Sequence, residues 1–171
     1  MTGGSRAADV AALVRDVLTA AGVEHEDGAR QGEVVATLPG EHKLRTAVSL
    51  LVGDHSLSAS AFVIRRPDEN VDEVHRWLLR RNARLKGVAF AVDVDGDVFV
   101  VGRLPLAAVS AQTLDALLGV LLETADTSFD PLLAMGFLSS MRKEWAWRVS
   151  RGEPTDNLEA FRRLLEDEPP D

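Results

Sequence analysis

The 171-residue chain contains no cysteine. This absence excludes a disulfide framework, thiol catalysis and thiolate metal sites, and it is compatible with a reducing cytosol. No apolar run approaches the length of a membrane span, and no charged N-terminal region is followed by the apolar stretch of a secretory signal. Together these absences predict a cytoplasmic protein with no membrane partner.

The familiar motifs of catalysis and nucleotide binding are also missing. The sequence has no Walker loop, no GxGxxG and no GxSxG. Asp54, His55 and Ser56 are the residue types of a hydrolytic triad, but neighbours along a turn cannot form its relay. The four histidines have no metal-ligand spacing: His25, His42, His55 and His75. We therefore predict no catalytic residue, no cofactor and no metal, and hence a protein that is not an enzyme.

A cluster of aspartates invites a calcium-loop interpretation, which the spacing excludes. Asp93, Asp95 and Asp97 surround a glycine. With Asp93 as the first ligand, the sixth position of the loop is Val98 and the twelfth is Leu104, where calcium loops carry Gly and Glu. A hairpin turn explains these residues without an ion.

Positive charge is in short supply, because the formal net charge is -8. Non-specific nucleic-acid binding depends on neutralising phosphates, so this balance predicts no nucleic-acid partner. The cations that are present concentrate at residues 76–86, where Arg76 and Arg80 are candidates for contact with an acidic segment or an anionic ligand. The alternative is a solvated helix face paired with Asp72, Glu73 and the acidic C-terminal tail.

The composition is otherwise that of an ordinary globular domain, with 46% hydrophobic and 27% charged residues. The length fits one domain, 1–171, opening on a loose terminus at 1–7. Helical spacing ends a first helix at Gly22, and residues 25–32 are typical of a turn. Alternation predicts strands at 33–38, 44–52 and 57–65. A second helix then carries Val74 and Leu78.

The clearest structural signal is a hairpin at residues 87–104. Asp95-Gly96 suits a two-residue type I′ turn, which pairs Val92 with Phe99. The opposite, small apolar face would then carry Ala89, Ala91, Val98, Val100 and Gly102. That face is either covered by a helix or a partner subunit, or left exposed, as small apolar residues on a sheet face often are. A slip of one residue in the turn would exchange the two faces.

A third helix, capped by Ser110, follows the hairpin, and residues 126–131 are expected to interrupt or end it because they include a proline. The predicted order is α-β-β-β-α-β-β-α, with further C-terminal helices in an extension at 144–171. Antiparallel strands separated by helices indicate an α+β fold with the helices on one face of the sheet.

The segment EWAWR is the most suggestive surface feature. Trp145 and Trp147 occur in a chain with few aromatic residues, and Arg148 follows them. Trp and Arg are favoured at the hot spots of interfaces. The alternative is that the two rings point to different sides of a helix, one into the core and one onto the C-terminal helix.

Two stretches of this sequence resemble the bacterial YbjN-like family of sensory transduction regulators. They are HRWLLRRNARLKGVAFAVDVDGDVFVVGRLPL at 75–106 and EWAWRVSRGEPTDNLEAFRRLL at 144–165. The element order is similar to that of type III secretion chaperones, whose fold this family is thought to share. The resemblance implies a non-enzymatic protein-interaction module, chaperone-like or regulatory, that forms a homodimer. It brings no catalytic signature and hence no site residue.

We accordingly expect a protein-binding function. The candidate interaction surface comprises Arg76, Arg80, Val98, Val100, Trp145, Trp147 and Arg148. The alternative is a sensor of an anionic metabolite, held by an arginine-lined pocket near Arg76 and Arg80.

Overall fold

A computed structural model describes residues 3–162 and residue 165. The four α-helices of this part are α1 (Gly3–Ala20), α2 (Val71–Asn82), α3 (Ala111–Gly136) and α4 (Leu138–Arg151). The strands are β1 (Glu24–Asp27), β2 (Glu33–Pro39), β3 (Arg45–Val52), β4 (Ser56–Ile64), β5 (Val88–Val92) and β6 (Val98–Pro105). Two short 3-10 helices cover Leu106–Ala108 and Asp156–Phe161.

The six strands form one sheet in the order β1-β2-β3-β4-β6-β5, and every pair is antiparallel. Alternation builds the core, because the inward positions of β3, from Thr46 and Val48 to Leu50 and Val52, are all buried while the positions between them are not. The helices pack over this inward face. The α+β class and the helices on one face of an antiparallel sheet are thus as predicted.

One strand of the sheet was not predicted. β1 begins one residue before the segment 25–32 that the sequence assigned to a turn, and it pairs with β2 from Glu24 opposite Thr37 to Asp27 opposite Val34. β1 is an edge strand whose side chains are mostly exposed, so it carries charge where a central strand would carry apolar residues. Charge on an edge also discourages pairing with another chain.

The hairpin forms, but its predicted turn and register are wrong by one residue. Val92 lies opposite Val98, not Phe99, because the loop has three residues rather than two. The amide of Gly96 donates to the carbonyl of Asp93 at 3.2 Å, and Gly96 then takes φ 91°, which closes the loop. The Asp93 carboxylate accepts the amides of Asp95 and Asp97 at 3.0 and 2.9 Å. These aspartates therefore serve the turn.

This shift moves the side chains of β6 to the opposite faces of the hairpin, while those of β5 keep their predicted faces. Val98 and Val100 are fully buried beside Val88 and Phe90, whereas Phe99 lies on the opposite, half-exposed face. The prediction that Val98 and Val100 belong to the small second face is therefore wrong. Val98 and Val100 are therefore not accessible to a partner in the folded chain.

Two helix predictions also need correction. α3 continues through Pro131 to Gly136 instead of ending near residue 126, since the buried Ala125 and Leu132 hold it against the core on both sides of the proline. Tertiary packing here outweighs the lost backbone hydrogen bond. α1 begins at Gly3, so residues 3–7 are helical where a loose terminus was expected. Residues 1 and 2 lie outside the described part.

The C-terminal part of the described chain contains an α-helix followed by a short 3-10 helix. α4 begins at Leu138, so the predicted boundary at 144 falls inside a helix. After Gly152, Asp156–Phe161 form a 3-10 helix that buries Leu158 and Phe161, in the extension where further helices were expected.

Candidate functional site

An apolar concavity with charged groups at its rim is a cleft of about 530 Å³, which we call the Lys43 cleft. It lies where the β2–β3 loop, the end of β4, α3 and the C-terminal segment meet. Its apolar lining includes Phe62, Phe129, Leu133, Phe137, Met141 and Phe161. Residues far apart in the chain therefore build it.

Lys43 forms part of the cleft wall with its ammonium group turned inward. The β3–β4 ladder ends with Val48 opposite Ala61, and Lys43 Nζ donates to the next two carbonyl oxygens, those of Phe62 at 2.6 Å and Val63 at 3.2 Å. Nζ also lies 4.6 Å from the centre of the Phe62 ring. Burial lowers the pKa of Lys43 to about 8. The Lys43 ammonium thus bonds the two β4 carbonyl groups that lie beyond the end of the pairing with β3.

Asp126 of α3 anchors the loop that carries Lys43. Its buried carboxylate accepts the backbone amides of Glu41 at 3.0 Å, His42 at 3.1 Å and Lys43 at 2.8 Å. A side chain at Gly40 would collide with this carboxylate, so the loop needs glycine there. Burial raises the pKa of Asp126, but the three amide donors outweigh it and the pKa lies below its usual value.

A second contact to α3 fixes the rim beside this anchor. His42 Nδ1 lies 2.6 Å from a carboxylate oxygen of Asp130, one helical turn after Asp126. The hydrogen bond to Asp130 raises the pKa of His42. The rim at this end therefore has a pair of opposite charges when the histidine is protonated.

The opposite rim is the loop between β4 and α2. The Arg65 guanidinium donates to both oxygens of Asp68 at 2.6 and 2.8 Å and lies 4.5 Å from the centre of the Phe137 ring. The Glu69 carboxylate accepts the amide and hydroxyl of Ser139 at 2.7 Å each. These bonds hold the start of α4 against the loop, and they lower the pKa of Asp68 and of Glu69.

The cleft combines an apolar interior with charged groups at its rim. Its charged groups are already paired with one another or with backbone, and its interior is aromatic and aliphatic. No group of three or more His, Cys, Asp or Glu side chains within residues 3–162 and 165 is arranged to hold a metal ion. The arrangement suits an apolar group of about one large side chain or more.

The predicted interaction residues of α4 lie on different sides of the helix. Trp145 packs against the core, whereas Trp147 is 50% exposed, with the Arg151 guanidinium 5.0 Å from its ring. Arg148 is paired with Glu144 at 2.7 Å and donates to the carbonyl of Pro154 at 3.0 Å. Trp147 thus remains available at the surface, whereas Arg148 ties α4 to the segment after it.

The predicted residues of α2 are both exposed. Arg76 and Arg80 form no ion pair with any residue of the described part, including Asp72 and Glu73 on the same helix. The predicted pairing with the acidic tail lies outside the described residues. Neither arginine lines the Lys43 cleft.

Sequence reasoning missed the residues that build the cleft. Asp126 gave no usable signal, because it opens the segment 126–131 that was expected to interrupt or end the third helix. Lys43 and Phe161 gave none, because their contacts are with segments far away in the sequence.

Comparisons with known proteins place this architecture in a family. The model of the YbjN family, described as "Putative bacterial sensory transduction regulator", matches residues 11–134. The chain belongs to the YbjN family. An uncharacterized protein of Mycobacterium tuberculosis, Rv0487, is 50% identical over 131 residues, which are 77% of this chain and 72% of that protein. An uncharacterized protein of Mycobacterium leprae is 48% identical over 135 residues, 79% of this chain and 73% of that protein.

Solved structures show the same fold. YbjN from E. coli superposes with a TM-score of 0.56 at 15% identity, over 72% of this chain and 91% of that one. The Yersinia pestis type III secretion chaperone SycH, solved with a fragment of YscM2, superposes with a TM-score of 0.51 at 21% sequence identity, over 69% of this chain and 98% of that one. ExsC, from the ExsC-ExsE complex, superposes with a TM-score of 0.55 at 20% sequence identity, over 72% of this chain and 92% of that one. The predicted family and chaperone-like fold are confirmed.

The family model ends at residue 134, inside α3. One wall of the Lys43 cleft, formed by Phe137, Met141, Leu158 and Phe161, therefore lies beyond it. The C-terminal segment adds to the family domain the surface that turns the end of the sheet into a concavity. Across the described ranges, no helix is both long and apolar enough to traverse a bilayer.

Proposed function

We propose that this protein is a non-catalytic, cytoplasmic adaptor that binds a segment of a partner protein in the Lys43 cleft. The observation that carries the proposal is the cleft itself, an apolar concavity with a rim of paired charges on a fold that SycH and ExsC use in complexes with YscM2 and ExsE. Hydrophobic centres with polar rims are typical of protein interfaces.

The edges of the sheet favour this mode of binding over strand addition. At one edge, Asn82 of α2 accepts the amide of Phe90 at 2.7 Å and donates to its carbonyl at 3.1 Å, so the backbone of β5 is already paired at that residue. At the other edge, β1 is four residues long and carries Glu24, Glu26 and Asp27. Short, charged or occupied edges resist an added strand.

A matched pair of variants in α3 tests the proposal. Leu133 lies in the cleft, whereas Val120 is 37% exposed on the same helix and is not part of the cleft lining. Tagged wild-type, Leu133→Asn and Val120→Asn chains are incubated in lysate of the native host, and recovered proteins are quantified by mass spectrometry. We expect a stoichiometric partner with the wild type and Val120→Asn, reduced at least tenfold with Leu133→Asn.

The proposal fails if Leu133→Asn, folded by circular dichroism, recovers the same partner in the same amount. If the wild type recovers no partner, the adaptor proposal is also contradicted. The alternative of an anionic-metabolite sensor would then be favoured. That alternative retains its sequence basis in Arg76 and Arg80.

The homodimer implied by the family resemblance is part of the proposal. The half-exposed second face of the sheet, with Phe62 and Phe99 in edge-to-face contact at 5.5 Å, is the surface that supports it. Sedimentation of the purified chain measures the assembly state directly.

A further inference from the structure

Helix α2 and the turn after it present a surface that the cleft does not use. No acidic residue occurs between Glu73 and Asp93, and all the fully charged residues of that interval are cations: Arg76, Arg80, Arg81, Arg84 and Lys86. The last four residues of this set belong to the last turn of α2 or follow it, and every one of the five is exposed. We call them, together with Leu79, the basic ridge.

The ridge has an apolar centre. Leu79 is 70% exposed and adjoins Arg80 in sequence, with Arg76 one turn before it. A single exposed leucine is ordinary on a protein surface. Here it lies among cations that lack ion-pair partners in residues 3–162 and 165, and the Arg81 guanidinium is held 5.1 Å from the Trp77 ring.

The helix dipole accounts for part of this pattern only. Cations in the last turn stabilise the C-terminal end of a helix, which gives Arg80 and Arg81 a structural role. The dipole does not explain Arg76, which lies in the middle of α2, or the exposure of Leu79. It also leaves Lys86, beyond the helix, without a role.

Charge complementarity selects the partner. A second copy of α2 packed across a two-fold axis would bring like guanidinium groups together, which opposes self-association here. A long polyanion such as a nucleic acid would extend beyond the ridge onto a chain whose net charge is -8. A short acidic segment with one apolar side chain matches both the cations and Leu79.

We propose that the basic ridge binds a short acidic polypeptide segment that carries an apolar side chain. This site is separate from the Lys43 cleft, and it requires neither the cleft nor its partner. A protein with both surfaces holds two segments at once, or two parts of one partner.

Fluorescence anisotropy with a defined probe tests this site. The probe is a fluorescein-labelled peptide of glutamates flanking one leucine, and its matched control has glutamine in place of every glutamate. At low ionic strength we expect the wild type to bind the glutamate probe and not the glutamine control. Binding weakens as salt shortens the Debye length. Arg76→Ala/Arg80→Ala weakens it about tenfold, since each exposed ion pair contributes only modestly to affinity.

Arg6→Ala is the control, because Arg6 is an exposed arginine of α1, and it is expected to change the affinity by less than twofold. Leu79→Ala separates the apolar contribution and weakens binding about threefold. The proposal is overturned by equal affinity of Arg76→Ala/Arg80→Ala and wild type, by equal binding of the two peptides, or by no binding at low salt. Conversion of a sedimenting dimer to monomer by Leu79→Ala would also overturn it, since the ridge would then be an interface between copies.

Discussion

The Lys43 cleft and the basic ridge are built in opposite ways. The cleft is concave and apolar, and buried polar groups hold it, chief among them Asp126 beneath three loop amides. The ridge is a convex helix surface whose charged side chains reach into solvent. Binding and stability are therefore coupled at the cleft, where the anchors are buried, and separable at the ridge. Changes of single residues in each surface test this difference.

The largest effect is expected from Asp126→Ala. This change removes the acceptor of the amides of Glu41, His42 and Lys43, and we expect the free energy of unfolding to fall by about 3 kcal/mol, because hydrogen bonds to a buried charge are among the strongest. Urea unfolding followed by circular dichroism measures it. Asp130→Asn on the same helix should lower it much less, since its partner His42 is half-exposed. Equal losses would mean that Asp126 is not the anchor.

An intermediate effect is expected from the pH dependence of Lys43. Burial lowers its pKa to about 8 from 10.5, so the unfolded chain keeps this proton to higher pH than the folded chain does. Between about pH 8 and 10.5 the unfolded state binds more protons, and the free energy of unfolding rises with pH in this window. Allowing for partial exposure, the rise is about 1 kcal/mol.

Lys43→Met should abolish this rise, whereas Lys86→Met should retain it because Lys86 is exposed on the ridge. The measurement is urea unfolding of the three chains at pH 7.5, 9 and 10.5. If the free energies of unfolding of the wild type and of Lys43→Met change in parallel across this range, burial does not lower the pKa of Lys43 and this prediction is wrong.

The smallest effect is expected at the ridge. Arg76→Ala/Arg80→Ala should change the free energy of unfolding by less than about 1 kcal/mol, since neither side chain has an ion-pair partner in the described part and Arg80 contributes only its interaction with the helix dipole. The same urea titration checks it. A fall in the free energy of unfolding above about 1 kcal/mol would mean that the ridge stabilises the fold. Binding and stability would then be coupled at the ridge as they are at the cleft.

The two surfaces also differ in how far the sequence predicts them. The ridge is local, so a run of cations on a predicted helix is visible in the sequence, and the exposure of Arg76 and Arg80 agrees with it. The cleft joins residues near 43, 62, 133 and 161, which only the folded chain brings together. No spacing rule connects Lys43 with the carbonyl of Phe62.

The sheet shows the same limit at a smaller scale. Alternation predicted the strand β3, because that pattern is written in consecutive residues. The hairpin was predicted, but a loop one residue longer than expected moved Val98 and Val100 from the second face into the core. β1 was missed because an edge strand needs no apolar face of its own.

The central claim is that a partner segment occupies the Lys43 cleft. The most direct measurement is photo-cross-linking from benzoylphenylalanine placed at position 133 inside the cleft, with position 120 on the same helix as control. The account predicts a covalent adduct with the captured partner from position 133 and none from position 120. An adduct from position 120 alone, or equal adducts from both positions, would contradict it.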